Sequence, residues 1–219
     1  MAFNPGVLWE YHPFLLKGLA MTVALALVAQ VLALLLAIPT ALARLSNRGI
    51  PKRIAGAYVE IIRGTPALAQ MFWIFYCIPI FTGLDWSPVV GAVIALGLNV
   101  GAYDAEVFRA GILSVHHGQV QAARALGLSS LLTFWEVVLP QATRYVLPSL
   151  LNNFIGLLLL TSIASTIGVA ELTYAGGKLN TATYQTVVIF TGIAAFYFGV
   201  SLFSSVAVRR LEGLYARRD

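Results

Sequence analysis

Gly18–Ala43 reads GLAMTVALALVAQVLALLLAIPTALA, with no charge anywhere in it. A helix needs about 20 apolar residues to cross a hydrocarbon core of about 30 Å, so this stretch is long enough to span a membrane. It is too long for the apolar core of a leader peptide, and it lacks a basic start and a small-residue cleavage site. Four more uncharged stretches follow: Gly64–Leu84, Trp86–Tyr103, Tyr145–Ala170 and Leu179–Val208. Trp86–Tyr103 is the shortest, and its helix is expected to run past Asp104 and Glu106 toward Arg109. The expected fold class is an all-α integral membrane protein. Five transmembrane helices are expected at about 15–43, 64–84, 86–110, 145–170 and 184–208.

Composition points the same way. Hydrophobic residues make up 59% of the chain and charged residues 11%, with a mean hydropathy of +0.83. A soluble domain carries about 25% charged residues, so lipid must be part of the solvent here. The single Cys77 lies in an apolar run and supports neither an internal disulfide nor a cysteine metal cluster.

Lys and Arg set the expected orientation. Arg44, Arg48, Lys52 and Arg53 follow helix 1, Arg124 and Arg144 follow helix 3, and Arg209, Arg210, Arg217 and Arg218 end the chain. The opposite ends, at residues 1–17, 82–88 and 171–185, offer Lys17 and Lys178. The positive-inside rule then puts the N-terminus outside and the C-terminus in the cytoplasm. Trp9, Tyr11, Trp86 and Tyr184 fall at the outer interface in this arrangement, where amphipathic rings prefer to sit. The net charge of +5 is thus a topology signal. No nucleic-acid partner is expected, because the basic residues are spread over three loops without an aromatic platform.

One polar segment interrupts this pattern, the loop 114–140 between helices 3 and 4. A short helix is expected over 119–126, ended by Gly127, which tolerates the left-handed conformation. Ser129 or Ser130 caps a second helix carrying Phe134, Trp135, Val137 and Val138 at helical spacing. Pro140 is expected to stop it and start the run into helix 4. On geometry alone, the loop reads equally well as an interfacial helix-turn-helix that merely connects two spans.

The motif itself is more specific. Gln121-Ala122-Ala123 is followed by three spacers, Gly127, nine spacers and Val137-Val138-Leu139-Pro140. Elsewhere stand Arg63-Gly64-Thr65-Pro66 with Gln70, and Gly101-Ala102-Tyr103-x-Ala105-Glu106-x-x-Arg109-x-Gly111-Ile112-x-Ser114-Val115. Leu139-Pro140-Gln141-Ala142, Leu147-Pro148, Asn152, Thr161-Ser162 and Gly168-Val169-Ala170-Glu171-Leu172 follow in order. Over roughly residues 15–215, this series resembles the permease subunits of ABC importers for polar amino acids (histidine, glutamine, glutamate, arginine, opine and ectoine types).

The resemblance implies a single permease domain over 1–219, in a bacterial inner membrane. It implies a second permease subunit (a homodimer or a heterodimer), two cytoplasmic ABC ATPases and an extracytoplasmic solute-binding protein. Transport would proceed by alternating access. Gln121, Ala122, Ala123, Gly127, Leu139 and Pro140 would dock on the ATPase and couple its closure to the helices. The chain has no Gly-x-x-x-x-Gly-Lys-Ser/Thr, and Gly176-Gly177-Lys178 is too short to be one. No cofactor is therefore expected in this chain, with ATP and Mg in the partner ATPase.

Departures from the family pattern also carry information. Gln121 stands for Glu and removes a charge from the coupling helix. Many relatives have Leu-Lys-x-Thr-Ser where this chain has Leu158-Leu159-Leu160-Thr161-Ser162, and Asn-Glu where it has Asn152-Asn153. Helix 4 has thus shed charges that could face a charged amino acid. Either other groups recognise the substrate, or a different partner permease supplies the charges.

Polar groups inside a membrane are costly and mark function or structure. Glu106 and Arg109, three apart, are expected to form a structural ion pair. Asp104 is expected to meet either a Lys or Arg of a neighbouring helix or the amine of a zwitterion. Asn99, Asp104, Asn152, Thr161 and Ser162 are the substrate-pathway candidates, although each Ser or Thr can instead bond backbone or join helices. No catalytic or metal site is expected. His116 and His117 are adjacent rather than i, i+4, and Asp104 and Glu106 point to different helix faces. The competing reading, a stand-alone secondary transporter or channel for small polar solutes, calls for internal repeats, and none is evident.

Overall fold

The computed structural model describes residues 4–47 and 49–216. Arg48, Arg217 and Arg218, used above for orientation, lie outside the described residues. The described chain is helical throughout, without a strand. In order come α1 (Gly6–Glu10), α2 (His12–Leu45), α3 (Gly49–Arg63), α4 (Ala67–Thr82), α5 (Pro88–Leu113), α6 (His117–Ala125), α7 (Ser130–Ile167), α8 (Leu172–Thr183) and α9 (Thr186–Ala216).

The centre of the molecule is the seam between α2 and α5. Thr22, Ala26, Ala29, Ala33, Ala37 and Ala41 recur three or four residues apart and are all buried. They face Ala92, Ala95, Val100, Ala102 and Ala105 of α5. Between helices in lipid there is no hydrophobic gain from contact, so small residues that bring backbones close do the packing. Gly101 shows how close: a Cβ there would stand 3.2 Å from the Ala33 carbonyl oxygen and 3.1 Å from the Tyr58 hydroxyl. Leu27, Val31, Leu35, Ile38 and Leu42 of α2 face outward instead.

Four helices are long and apolar enough to span a membrane: α2, α5, α7 and the Thr186–Val206 part of α9. A fifth crossing is available if α3 and α4 count as one span bent by 109°. The second window, expected as a helix over about 64–84, is shorter than that. Gly64, Thr65 and Pro66 break the chain, and α4 runs over Ala67–Thr82 alone. At 1.5 Å per residue, α4 reaches only about 24 Å.

Three further boundaries depart from the sequence reading. Pro140 does not stop a helix, because α7 runs unbroken from Ser130 to Ile167. A π turn at Phe134–Val138 lies directly before Leu139-Pro140, as another at Trp73–Cys77 lies before Ile78-Pro79. The wider turn relieves the backbone where proline brings no donor, so the helix continues. The fourth span thus starts well before the expected residue 145. Residues 171–185, read as an outer end between spans, form the helix α8 and its exit turn.

Candidate functional site: a polar cleft and an exposed inner loop

The cleft lies between α4, α5 and α7. It encloses about 420 Å³ and is lined by Thr65, Asn99, Tyr103, Asn152, Asn153 and Leu160, among others, with no charged side chain on its wall. Gln70 fixes one wall. Its Nε2 donates to the Ile62 carbonyl and to the Thr65 hydroxyl, both at 2.7 Å, and its Oε1 accepts from Asn99 Nδ2 at 2.9 Å. One amide thereby holds the α3–α4 corner against α5. A second cavity of about 390 Å³ adjoins, lined by Arg63, Tyr103, Glu106, Tyr145, Ser149 and Asn153 among others. Tyr103 and Asn153 line both, and Arg63 lies over the Tyr103 ring at 5.2 Å.

Of the five pathway candidates, the structure brings Asn99 and Asn152 to the cleft wall. Asp104 is fully buried behind it. Gln30 Nε2 donates to one carboxylate oxygen at 2.7 Å, and Asn153 Nδ2 to the other at 2.8 Å. Of the two expected partners, a Lys or Arg of a neighbouring helix is not what Asp104 meets among the described residues. Thr161 and Ser162 are not on the cleft wall; their hydroxyls donate to the Leu158 and Leu159 carbonyls at 2.7 and 2.8 Å. Asn153 and Gln30 were not singled out as site residues by sequence. Each carried a signal: Asn153 replaces the family's Glu, and Gln30 is the lone amide in an otherwise apolar span.

Glu106 takes Arg109 from its own helix, at 3.0 Å to Nε, and also Arg44 at the end of α2. The third member of this cluster was not anticipated. Glu171, fully buried, caps α8 by accepting from the Thr173 and Tyr174 amides at 2.9 and 2.8 Å. Tyr197 of α9 donates to it at 2.7 Å and Thr22 of α2 at 3.4 Å, so one carboxyl joins three helices. Burial lifts this carboxyl above its ordinary range.

The loop between α5 and α7 has its own architecture. His116 caps α6, its Nδ1 accepting from the Gly118 amide at 3.2 Å. At the other end Gly127 has φ of 85°, Leu128 N–H donates to the Ala123 carbonyl, and Gly127 N–H donates to the Arg124 carbonyl. This is a Schellman stop, which favours glycine at the left-handed position. Ser129 then caps α7 by accepting from Leu132 N–H. Ala123 is buried at the root of the loop, while Gln121, Ala122, Arg124 and Ala125 are exposed. Leu126 is 81% exposed, and Leu131 and Trp135 also stand clear. Leu139 is half-buried and Pro140 exposed, just past the π turn.

Residues 30–214 match the family described as "Binding-protein-dependent transport system inner membrane component". The chain belongs to that family. It is a multi-pass membrane permease component of ABC importers and not an enzyme; ATP hydrolysis lies in a separate subunit. Relatives include the glutamine transport system permease protein of Escherichia coli (strain K12), 35% identical and covering 97% of each chain. The L-cystine transport system permease protein of Bacillus subtilis (strain 168) is 39% identical, over 95% of this chain and 91% of that one. The nopaline transport system permease protein of Agrobacterium fabrum is also 39% identical, over 92% and 86%. Among solved structures, "an amino acid ABC transporter with histidines" superposes with a TM-score of 0.93 at 35% identity, over 97% of this chain and 99% of that one. An inward-facing methionine ABC transporter shares the fold, with a TM-score of 0.80 at 18% identity, over 94% and 97%.

Proposed function

We propose that this permease moves polar amino acids or related small zwitterions across the bacterial inner membrane by alternating access. It works with a second permease copy or paralogue, two cytoplasmic ATPases that bind ATP and Mg, and an extracytoplasmic binding protein. Its N-terminus is outside and its C-terminus in the cytoplasm. The relatives named for glutamine, cystine and nopaline support the substrate class.

The observation that carries the coupling role is the exposed loop of 114–140. Around the uncovered Gln121 and Ala122, the bare Leu126, Leu131 and Trp135 make an exposed apolar surface of the kind a partner subunit covers. Ala122, exposed, lets α6 sit deep in a cleft of the ATPase, Ala123, buried at the root of the loop, seats α6 on its own chain, Gly127 sets the exit angle, and Leu139-Pro140 begins the α7 segment that transmits the motion. The substrate passes the cleft of Asn99 and Asn152, with Asp104 behind it. Thr161 and Ser162 lie farther along α7, where backbone carbonyls take their hydroxyl protons and leave their oxygens as acceptors on the same pathway.

The test is uptake by the reconstituted complex carrying Gly127→Val. Valine at φ of 85° is strained, so α6 leaves the stretch at a different angle. Uptake is expected to fall at least about tenfold, equivalent to about 1.4 kcal/mol of lost coupling, with membrane insertion unchanged. Normal uptake would remove the coupling role.

A further inference from the structure

The geometry points to Asp104 as a positioning residue that acts through Asn153 and sets what the transport cleft offers a substrate; the inference rests on the pathway reading above. A carboxylate buried within a span is costly, and functional sites are where that cost is tolerated. Salt bridges among the described residues go to Glu106, not to Asp104. The Asp104 carboxylate is met instead by two neutral amides from two other helices, Gln30 of α2 and Asn153 of α7.

A carboxylate accepts and does not donate, so each amide facing it must present its NH₂ end. Gln30 shows how strongly this is enforced. With Nε2 held by Asp104, its own Oε1 is buried without a partner, an arrangement that costs free energy. Asn153 is held in the same way but sits at the wall shared by the two cavities. Its Nδ2 is pinned toward Asp104, so its Oδ1 is the end left for the passage. Beside it stands Asn152, and no charged side chain lines that cleft. The cleft therefore offers a fixed, uncharged acceptor for an ammonium or amide N–H of a small zwitterion. Without the carboxylate, Asn153 is free to turn over and present a donor instead.

The experiment is direct binding of each ordinary L-amino acid, tritiated, to the complex purified with this chain, in the absence of the binding protein. Binding is compared for wild type, Asp104→Leu, Asn153→Leu and the double variant; Asp104→Ala serves if the leucine variant fails to assemble. Each single variant is expected to bind about tenfold more weakly, the worth of one oriented hydrogen bond. The double variant is expected to be no weaker than either single one, because the two residues act as one unit. Asp104→Asn is expected to stay within about twofold of wild type: its oxygen still takes Asn153 Nδ2, and its NH₂ can face Gln30 once that amide turns its orphaned Oε1 inward. Losses that multiply to about a hundredfold, or wild-type binding by Asp104→Leu or Asp104→Ala beside a weakened Asn153→Leu, would overturn the positioning role alone. Wild-type binding by Asn153→Leu and Asn152→Leu together would overturn the pathway reading itself.

Discussion

The α2–α5 seam and the 114–140 loop solve opposite problems. In the seam, alanines and glycine bring two backbones together and leave no room to spare. In the loop, leucines and a tryptophan stand exposed around a short helix that is capped at both ends and packs only Val120 and Ala123 against its own chain. Small residues are used for tight internal contact in one place and for an uncovered surface in the other. The seam is closed within the subunit, whereas the loop leaves Leu126, Leu131 and Trp135 uncovered, as the proposed docking on an ATPase requires.

The sharpest way to break that contrast is to enlarge a seam residue. Gly101→Leu drives a side chain into the Ala33 carbonyl and Tyr58, and overpacking of this kind costs about 1–3 kcal/mol. A large fall in folded yield and melting temperature of the extracted protein is expected. Glu106→Gln should come next: it leaves Arg44 and Arg109 without their carboxylate, at about 2 kcal/mol, seen as a lower melting temperature. At the other extreme, Leu126→Ser in the loop should change stability by less than about 0.5 kcal/mol while lowering ATP-driven uptake. If uptake were unaffected, the exposed leucine would be a bystander.

Glu171 adds a pH test on the seam side. Burial lifts its carboxyl, so the folded chain keeps a proton at pH values where the unfolded chain has released it. The folded state binds more protons in that window, and its stability falls as pH rises from the ordinary carboxylate value, about 4.3, toward the lifted one. Below and above the window this group contributes no slope. Glu171→Gln keeps the shape and cannot ionise, so the corresponding slope in melting temperature against pH should vanish. An unchanged slope would assign it to other groups.

The spans were legible because membrane helices advertise themselves by missing charges. Windows 15–43 and 86–110 became His12–Leu45 and Pro88–Leu113. What charge counting cannot see is helix that continues through polar sequence, such as the start of α7 with Arg144 and Gln141, or α8 with its Gly176-Gly177 pair. The α3–α4 bend was written in Gly64-Thr65-Pro66, but an uncharged window absorbed it. The ion pair of Glu106 and Arg109 was readable from their spacing, because it is local. Arg44–Glu106, Gln30–Asp104–Asn153 and Thr22–Glu171–Tyr197 were not, because each joins helices far apart in the chain. Asn152 could be placed by its motif, while the pinning of Asn153 needed three helices in place.

The most direct test of the coupling loop is nucleotide-dependent cross-linking. With the native Cys77 replaced by serine, Gln121→Cys leaves one thiol in the chain, on the exposed face of α6. A thiol-specific, photoactivatable cross-linker at that position should capture the ATPase subunit in native membranes, with a yield that changes when ATP is added. Labelling of that cysteine from outside intact cells by a membrane-impermeant maleimide, with no ATPase adduct, would contradict both the orientation and the coupling role.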